Sequence, residues 1–376
     1  MIKIVADDRI PFLKGILEPY ADVKYLPGRD IDRKSISGAD ALIIRTRTKC
    51  TEQLLKGSDI KFIGTATIGF DHIDTRYCDS NGIKWTNAPG CNSSSVQQYV
   101  AAALLKISNE FRFPLKDKTM GIAGVGNVGS KIEKMAALLG MKVLLNDPPR
   151  ARKEGPERFT YIETLLKESD IISLHVPLTI VGQDKTYHMI NDGSLKKVKK
   201  GTWLINSSRG EVADTVSLKR ALASGKLAGA VLDVWEHEPD IDQELMHISF
   251  IATPHIAGYS TDGKANGTAN VVNDLANFFN LQIKNWYPYD LPEPEEPVIE
   301  ISCKGKDTED IIREAVDHTY NISEDDLKLR FSPADFENQR GNYKVRREFP
   351  AYSVKLSGGN KQIRILLENF GFRVLQ

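Results

Sequence analysis

"KTMGIAGVGNVGSKIEKMAALLGMKVLLNDPPR", residues 118–150, decides how this chain folds. Its opening, "TMGIAGV", residues 119–125, reads as a short apolar strand running into a turn. Gly124-x-Gly126-x-x-Gly129 then turns the chain into a segment of helical period, and a second apolar run ends in Asp147. Each residue type has a physical reason to be there. Gly124 allows a tight turn, Gly126 lets the backbone approach a phosphate closely, and Gly129 lets helix and strand pack against each other. The helix N-terminus offers N–H groups that have no intrahelical partner, and anions bind there. Three glycines alone say little. Strand, glycine turn, helix, second strand and terminal acid in this order point to a dinucleotide site. Gly124, Gly126, Asn127, Val128 and Gly129 form its turn, and Asp147 stands where an adenosine ribose would donate hydrogen bonds. A carboxylate at that place repels a 2′-phosphate, which favours NAD. Arg150 and Arg152 lie just beyond and are able to receive such a phosphate, so NADP is the alternative.

Outward from this unit, short apolar runs alternate with helical patterns: "IKIVAD", "ALIIRT", "KFIGTAT", "KVLLND", "IISLHVPL", "TWLINSS", "GAVLDVW" and "SFIATPH". Several are apolar on both faces, as parallel strands covered by helices must be. The alternation predicts a doubly wound α/β architecture, and the strands are too many for one open sheet, so two are expected. "WYPYDLPEPEEP", residues 286–297, concentrates prolines and acids and reads as an extended linker. Beyond it, "VIEISCKG", "DTEDIIREAVDHTY", "AYSVKLS" and "NKQIRILLENFG" predict strand, helix, strand and helix. The expected fold class is α/β: two doubly wound parallel-sheet (flavodoxin/Rossmann-like) domains plus a small C-terminal α+β domain.

Bulk properties exclude several function classes. At 376 residues the chain exceeds one hydrophobic core. Lys plus Arg and Asp plus Glu are equal at 50 each, which removes the basic footprint of a nucleic-acid binder. No apolar run approaches a membrane span, and the N-terminus lacks the pattern of a secretory signal. The four cysteines, Cys50, Cys78, Cys91 and Cys303, show no metal-ligand or disulfide spacing. The expectation is a cytoplasmic protein with no metal, no nucleic-acid partner and no membrane.

Three late strands end in reactive side chains. "LINSSRG" delivers Arg209, "VLDVWEHEP" delivers Asp233 and Glu238, and "ATPHIAG" delivers His255. In open α/β sheets, ligands bind at the carboxyl ends of the strands, where these groups would converge. Taken singly, each is more often a surface or capping residue. Together, "GVGNVG", "INSSRGEVAD", "LDVWEHEP" and "PHIAGY" resemble the D-isomer-specific 2-hydroxyacid dehydrogenases over residues 1–285. The resemblance implies an NAD-dependent enzyme. Its catalytic residues would be Arg209 holding the substrate carboxylate, His255 as acid/base and Glu238 orienting His255, with Asp233 as partner of the cofactor carboxamide. Glu236, His237 and Asp240 are expected to be surface groups.

A narrower resemblance, to one branch of that family, lies in "RTRTK", "GTATIGFDHID", "NAPGCNSSSVQQYV", "LLNDPPRA", "HIAGYSTDGKANGT" and a tail containing "NYKVRREF". It implies a small phosphorylated hydroxy acid, 4-phospho-D-erythronate, as substrate and a homodimer formed through the tail. It places Thr46, Thr67 and Tyr259 at the substrate, and Val176 and Gly258 near the cofactor. Arg45 and Arg47 have the charge a phosphate needs. Arg346 and Arg347 are further candidates, weighed against the reading that both lie on a solvated face. Gln98 stands where glutamate is familiar. The implied organisation is a substrate (lid) domain of residues 1–92 and 257–285, an NAD-binding domain of 93–256 and a dimerisation domain of 286–376. Two rivals stand beside this reading. One is a dehydrogenase for another hydroxy acid such as 3-phosphoglycerate; the other is an NAD-sensing interaction protein on the same scaffold.

Overall fold

A computed structural model describes residues 1–375. The chain forms two compact units, one of Met1–Asn92 with Ser260–Pro292, the other of Ser93–Tyr259 with the residues from Glu293 on.

The first unit is built on five parallel strands, β1 (Ile2–Asp7), β2 (Ala21–Leu26), β3 (Ala41–Ile44), β4 (Phe62–Thr65) and β5 (Lys84–Thr86), in the order β2-β1-β3-β4-β5. The central strand β3 is buried along its whole length, as its unbroken "ALII" requires. The edge strands β2 and β5 lack a continuous apolar run, because lysines and half-exposed residues interrupt it. The order reverses between β1 and β3, so the loops after these two strands flank a switch point, and the second of them carries Arg45, Thr46 and Arg47. The helix Thr261–Phe278 closes one face. Gly64 on β4 makes that possible, since a Cβ there would come within 2.6 Å of the Val271 side chain.

The second unit holds six parallel strands, β6 (Thr119–Ala123), β7 (Lys142–Asn146), β8 (Ile171–Leu174), β9 (Thr202–Asn206), β10 (Leu227–Leu232) and β11 (Ile251–Ala252), in the order β11-β10-β9-β8-β6-β7. The tail adds a three-stranded parallel sheet of β12 (Val298–Ser302), β13 (Ser353–Ser357) and β14 (Arg373–Val374) in sequential order. The predicted helix over "NKQIRILLENFG" runs from Lys361 to Phe370 and stops at Gly371, whose φ of 110° is left-handed. Two helices, Ile322–Phe331 and Phe336–Gly341, lie between the predicted tail elements.

The tail is not held by its linker alone. The helix Ser93–Phe111 is buried along most of its length, polar Ser95 and Gln98 included, so it is covered on several sides. Tyr99, Val100, Leu104 and Ile107 of that helix share one core with Ile311, Val316 and Phe349 of the tail and with Met120 and Ile122 of β6. Polar side chains fasten the same seam. Gln98 donates from Nε2 to Thr319 Oγ1 and to the Arg347 carbonyl, both at 3.0 Å, a pairing open to an amide and closed to the glutamate familiar at this place. Ser95 donates to Glu348 at 2.8 Å.

Arg346 and Arg347 do not lie on a solvated face, being only 3% and 8% exposed. The Arg346 guanidinium donates to the Ala257 carbonyl and stacks 4.5 Å from the Tyr320 ring centre, whose π-face accommodates a buried cation. The second crossing between units falls after Tyr259 rather than after residue 256, because hydrogen bonds hold Ile256 and Ala257 to the second unit.

Candidate active site

The loop after β6 has the geometry its glycines predict. Gly124 has φ of 86°, and a Cβ there would meet the His175 carbonyl at 2.4 Å. A Cβ on Gly129 would lie 2.0 Å from the Gly124 carbonyl oxygen, so helix Asn127–Leu138 starts as close to the turn as backbone atoms permit. At Gly126 the same construction meets nothing within 4 Å. The space in front of the helix is open, and the helix carries no side-chain cap. Such an opening fits a pyrophosphate.

Asp147 holds this loop in shape, accepting from Val125 N–H at 2.8 Å with one oxygen and from Arg150 N–H at 3.1 Å with the other. Arg150 is clamped to Glu154 by two hydrogen bonds of 2.7 and 2.6 Å, and Arg152 pairs with Asp184. Both arginines that would receive a 2′-phosphate are thus engaged by acids, which fits NAD. Val176 lies in the loop after β8, next to Gly124. The imidazole of His175, just before it, shares a hydrogen bond with Ser173, and burial drives it down to about 3, so it is neutral.

The loops after β9, β10 and β11 supply the reactive groups from three adjacent strands. After β9, Asn206 folds the turn by accepting from Ser208 and donating to the Arg209 carbonyl at 3.0 Å. Arg209 follows, half-buried, donating from Nη1 to the Ser208 carbonyl at 2.7 Å. The next residue, Gly210, is a positioning element the sequence reading missed. A Cβ there would fall 1.9 Å from the Trp235 carbonyl carbon, so the loops after β9 and β10 meet backbone to backbone. The signal was the glycine of "SRG" itself.

After β10 and β11, Glu238 and His255 meet. His255 Nδ1 lies 2.7 Å from Glu238 Oε2, and Trp235 N–H donates to Glu238 Oε1 at 3.0 Å. With a carboxylate on Nδ1, that nitrogen carries a proton. Burial pushes the Glu238 carboxyl up. The hydrogen bond and charge of His255, the Trp235 N–H and the Arg340 charge pull it further down, so the group stays ionised below the ordinary carboxylate range. His255 has φ of 56°, a left-handed conformation that costs a non-glycine residue about 1 kcal/mol.

Asp233 holds that conformation in place. Its buried carboxylate accepts from Thr253 Oγ1 at 2.7 Å, Ile256 N–H at 2.8 Å and Ala257 N–H at 2.9 Å, while its carbonyl accepts from His255 N–H at 2.7 Å. Tyr99, fully buried, bonds Thr253 at 2.8 Å. Burial raises the Asp233 carboxyl despite these donors. Gly258 and Tyr259 follow at the end of the loop, and the Tyr259 ring meets Tyr343 edge-on at 6.1 Å.

In the first unit, Thr67 donates to the Gly69 carbonyl at 2.9 Å and bonds Thr65, which also contacts His72. Arg45 donates to the Arg9 carbonyl at 3.2 Å, and Thr46 and Arg47 lie exposed beside it.

One expectation is corrected. Glu236 is not a surface group: its side chain is 11% exposed, accepts from Thr215 N–H at 2.8 Å and bonds His188 Nε2 at 2.7 Å. Asp214 lies 3.8 Å from the other imidazole nitrogen. This is the histidine–acid cluster close enough for an ion among the described residues, but its imidazole already bridges its two acids. His237 and Asp240 are exposed, as expected.

Comparison with known proteins agrees with this geometry. The family described as D-isomer specific 2-hydroxyacid dehydrogenase, NAD binding domain, matches residues 94–257, and a domain of unknown function matches residues 291–371. D-lactate dehydrogenase from Aquifex aeolicus, solved with NAD and lactic acid, superposes with a TM-score of 0.62 at 30% identity, over 76% of this chain and 98% of its own. NAD+-bound 3-phosphoglycerate dehydrogenase from Entamoeba histolytica gives 0.63 at 28%, over 75% and 97%. The chain belongs to the D-isomer-specific 2-hydroxyacid dehydrogenases. Within that class, relatives that match it along nearly its whole length, tail included, are named erythronate-4-phosphate dehydrogenase. That of Bacteroides thetaiotaomicron is 49% identical over 94% of this chain and 99% of its own, and that of Proteus mirabilis 40% over 99% of both.

Proposed function

We propose that the protein oxidises 4-phospho-D-erythronate to 3-hydroxy-2-oxo-4-phosphooxybutanoate with NAD, a step in pyridoxal 5′-phosphate biosynthesis. The observation that carries this reading is the Glu238–His255 hydrogen bond at the end of β10 and β11, in a chain whose full-length relatives bear that activity in their names. In the reaction, the C2–H and O–H bonds break and a C2=O bond forms. NAD, when bound, supplies the acceptor for the C2 hydride. His255 Nε2 takes the hydroxyl proton, and Glu238 stabilises the imidazolium that results. Arg209 holds the carboxylate with its planar fork.

Gly124, Gly126, Asn127, Val128, Gly129, Asp147, Val176, Asp233 and Gly258 are assigned to the cofactor. Thr46, Thr67, Tyr259, Arg45 and Arg47 are assigned to the substrate, the two arginines to its phosphate. We also assign the first unit, Met1–Asn92 with Ser260–Pro292, to a substrate lid and the tail to homodimer formation. Strand β12 at the edge of the tail sheet, with Val298 exposed, supports the second assignment. Four cysteines without disulfides fit a reducing compartment, the cytoplasm.

The test is NADH formation from 4-phosphoerythronate and, separately, from 3-phosphoglycerate. A preference for the first of at least tenfold in kcat/KM is expected; a preference for the second overturns the substrate assignment. Sedimentation equilibrium is expected to give twice the chain mass of 41.9 kDa, and a single chain mass overturns the dimer.

A further inference from the structure

The tail reaches the catalytic pair. Helix Phe336–Gly341 is anchored by Phe336, which is fully buried in the core around β8, β9 and β10. One turn on, Arg340 points back at the loop after β10. Its Nη1 lies 3.9 Å from Glu238 Oε2, the same oxygen that accepts from His255, and 3.3 Å from Glu337 Oε1. The guanidinium also stands 5.9 Å from the Tyr259 ring centre, and its Nε is buried without a hydrogen-bond partner among the described residues. Arg340 is only 21% exposed, so water screens this charge weakly.

We propose that Arg340 is a positioning residue for the reaction: the tail supplies a cation that competes with His255 for Glu238 and so keeps the imidazole neutral, ready to accept the hydroxyl proton. A carboxylate alone would favour imidazolium; a cation beside that carboxylate offsets the effect. Among the described residues, the charged groups with an interaction shown at the pair include Asp233, coupled to His255, and Arg340, with Glu337 paired to Arg340. Asp233 and Glu337 favour imidazolium, and Arg340 alone among them opposes it. The contact also gives the tail a part in catalysis within one chain. Tyr343, two residues after the helix, packs on Tyr259, and Arg346 holds the Ala257 carbonyl, so three tail residues brace the loop that follows His255.

The proposal deepens the dehydrogenase reading, and the experiment separates the two. In the full-length protein, imidazole resonances of His255 are titrated by NMR without substrate in wild type, Arg340→Gln, Arg340→Lys and Glu337→Gln, with kcat and KM measured alongside. Arg340→Gln is expected to move the His255 midpoint to higher pH by about 0.5–1 unit and to lower kcat below neutral pH roughly 3–10-fold, leaving the KM for NAD unchanged. Arg340→Lys restores both. Glu337→Gln moves the midpoint the opposite way, an expectation that stands should Arg340→Gln fail to fold. A midpoint that stays put in both Gln variants, or a Lys variant as impaired as Gln, overturns the proposal. Wild-type inactivity on 4-phosphoerythronate would overturn the substrate assignment while leaving the titrations to decide on Arg340.

Discussion

Glu238 uses both carboxylate oxygens to fix His255: Oε2 accepts the imidazole Nδ1–H at 2.7 Å while Oε1 is pinned by Trp235 N–H at 3.0 Å. The carboxylate cannot swing without breaking one of the two, so ring orientation and tautomer are set before substrate arrives. Replacing His255 with Asn is expected to lower kcat by about 10²–10⁴-fold with NAD affinity retained. Glu238→Gln keeps the shape and loses the charge, and should cost roughly 10–10²-fold. Steady-state kinetics together with NAD titration checks both, and near-normal turnover in the Asn variant would remove His255 from the mechanism.

The glycine loop offers two substitutions with opposite signatures. Gly126→Ala places a methyl in open space, so the melting temperature should hold while NAD binding weakens by at least about tenfold, since the pyrophosphate must approach that backbone. Gly129→Ala drives a methyl into the Gly124 carbonyl and should destabilise the fold itself by about 1–3 kcal/mol. Thermal melts and calorimetric titration distinguish them; equal melting temperatures would contradict the packing described.

Glu236 links His188 to the N–H of Thr215, and its carboxyl lies below the ordinary value of 4.5: burial raises it, but the Thr215 and His188 hydrogen bonds outweigh that. A depressed folded value means stability that is present above the unfolded value and lost as pH falls through the folded one. Glu236→Gln should therefore cost about 1–2 kcal/mol at neutral pH, and the gap from wild type should narrow as pH drops below about 4.5. Urea unfolding across that range checks it; a gap independent of pH would refute the assignment.

Removing the tail should expose core that it covers. Tyr99, Leu104 and Ile107 share their core with tail residues, so a chain ending before Glu293 exposes them. Loss of soluble protein, or binding of a hydrophobic dye, is the expected result. A stable, dye-free truncated protein in the ultracentrifuge would argue against the shared core.

Local physics made much of this legible in the sequence. Backbone approach requires glycine, so Gly124, Gly126 and Gly129, set between a strand and a helix and followed by a strand ending in Asp147, predict the dinucleotide turn. Double-sided apolar runs mark covered parallel strands, and strand ends carrying Arg209, Glu238 and His255 mark candidates for chemistry. Edge strands β2 and β5 stayed hidden because half-exposed strands lose that pattern. What the tertiary structure alone decided is which distant groups meet. Arginine pairs with any acid and buries on any aromatic face, so nothing local in "NYKVRREF" distinguishes a solvated Arg346 from one stacked on Tyr320. Nor does "FENQRG" reveal that Arg340 stands 3.9 Å from a glutamate about a hundred residues earlier. Periodicity records how a segment faces water; only packing in three dimensions decides which charge faces which.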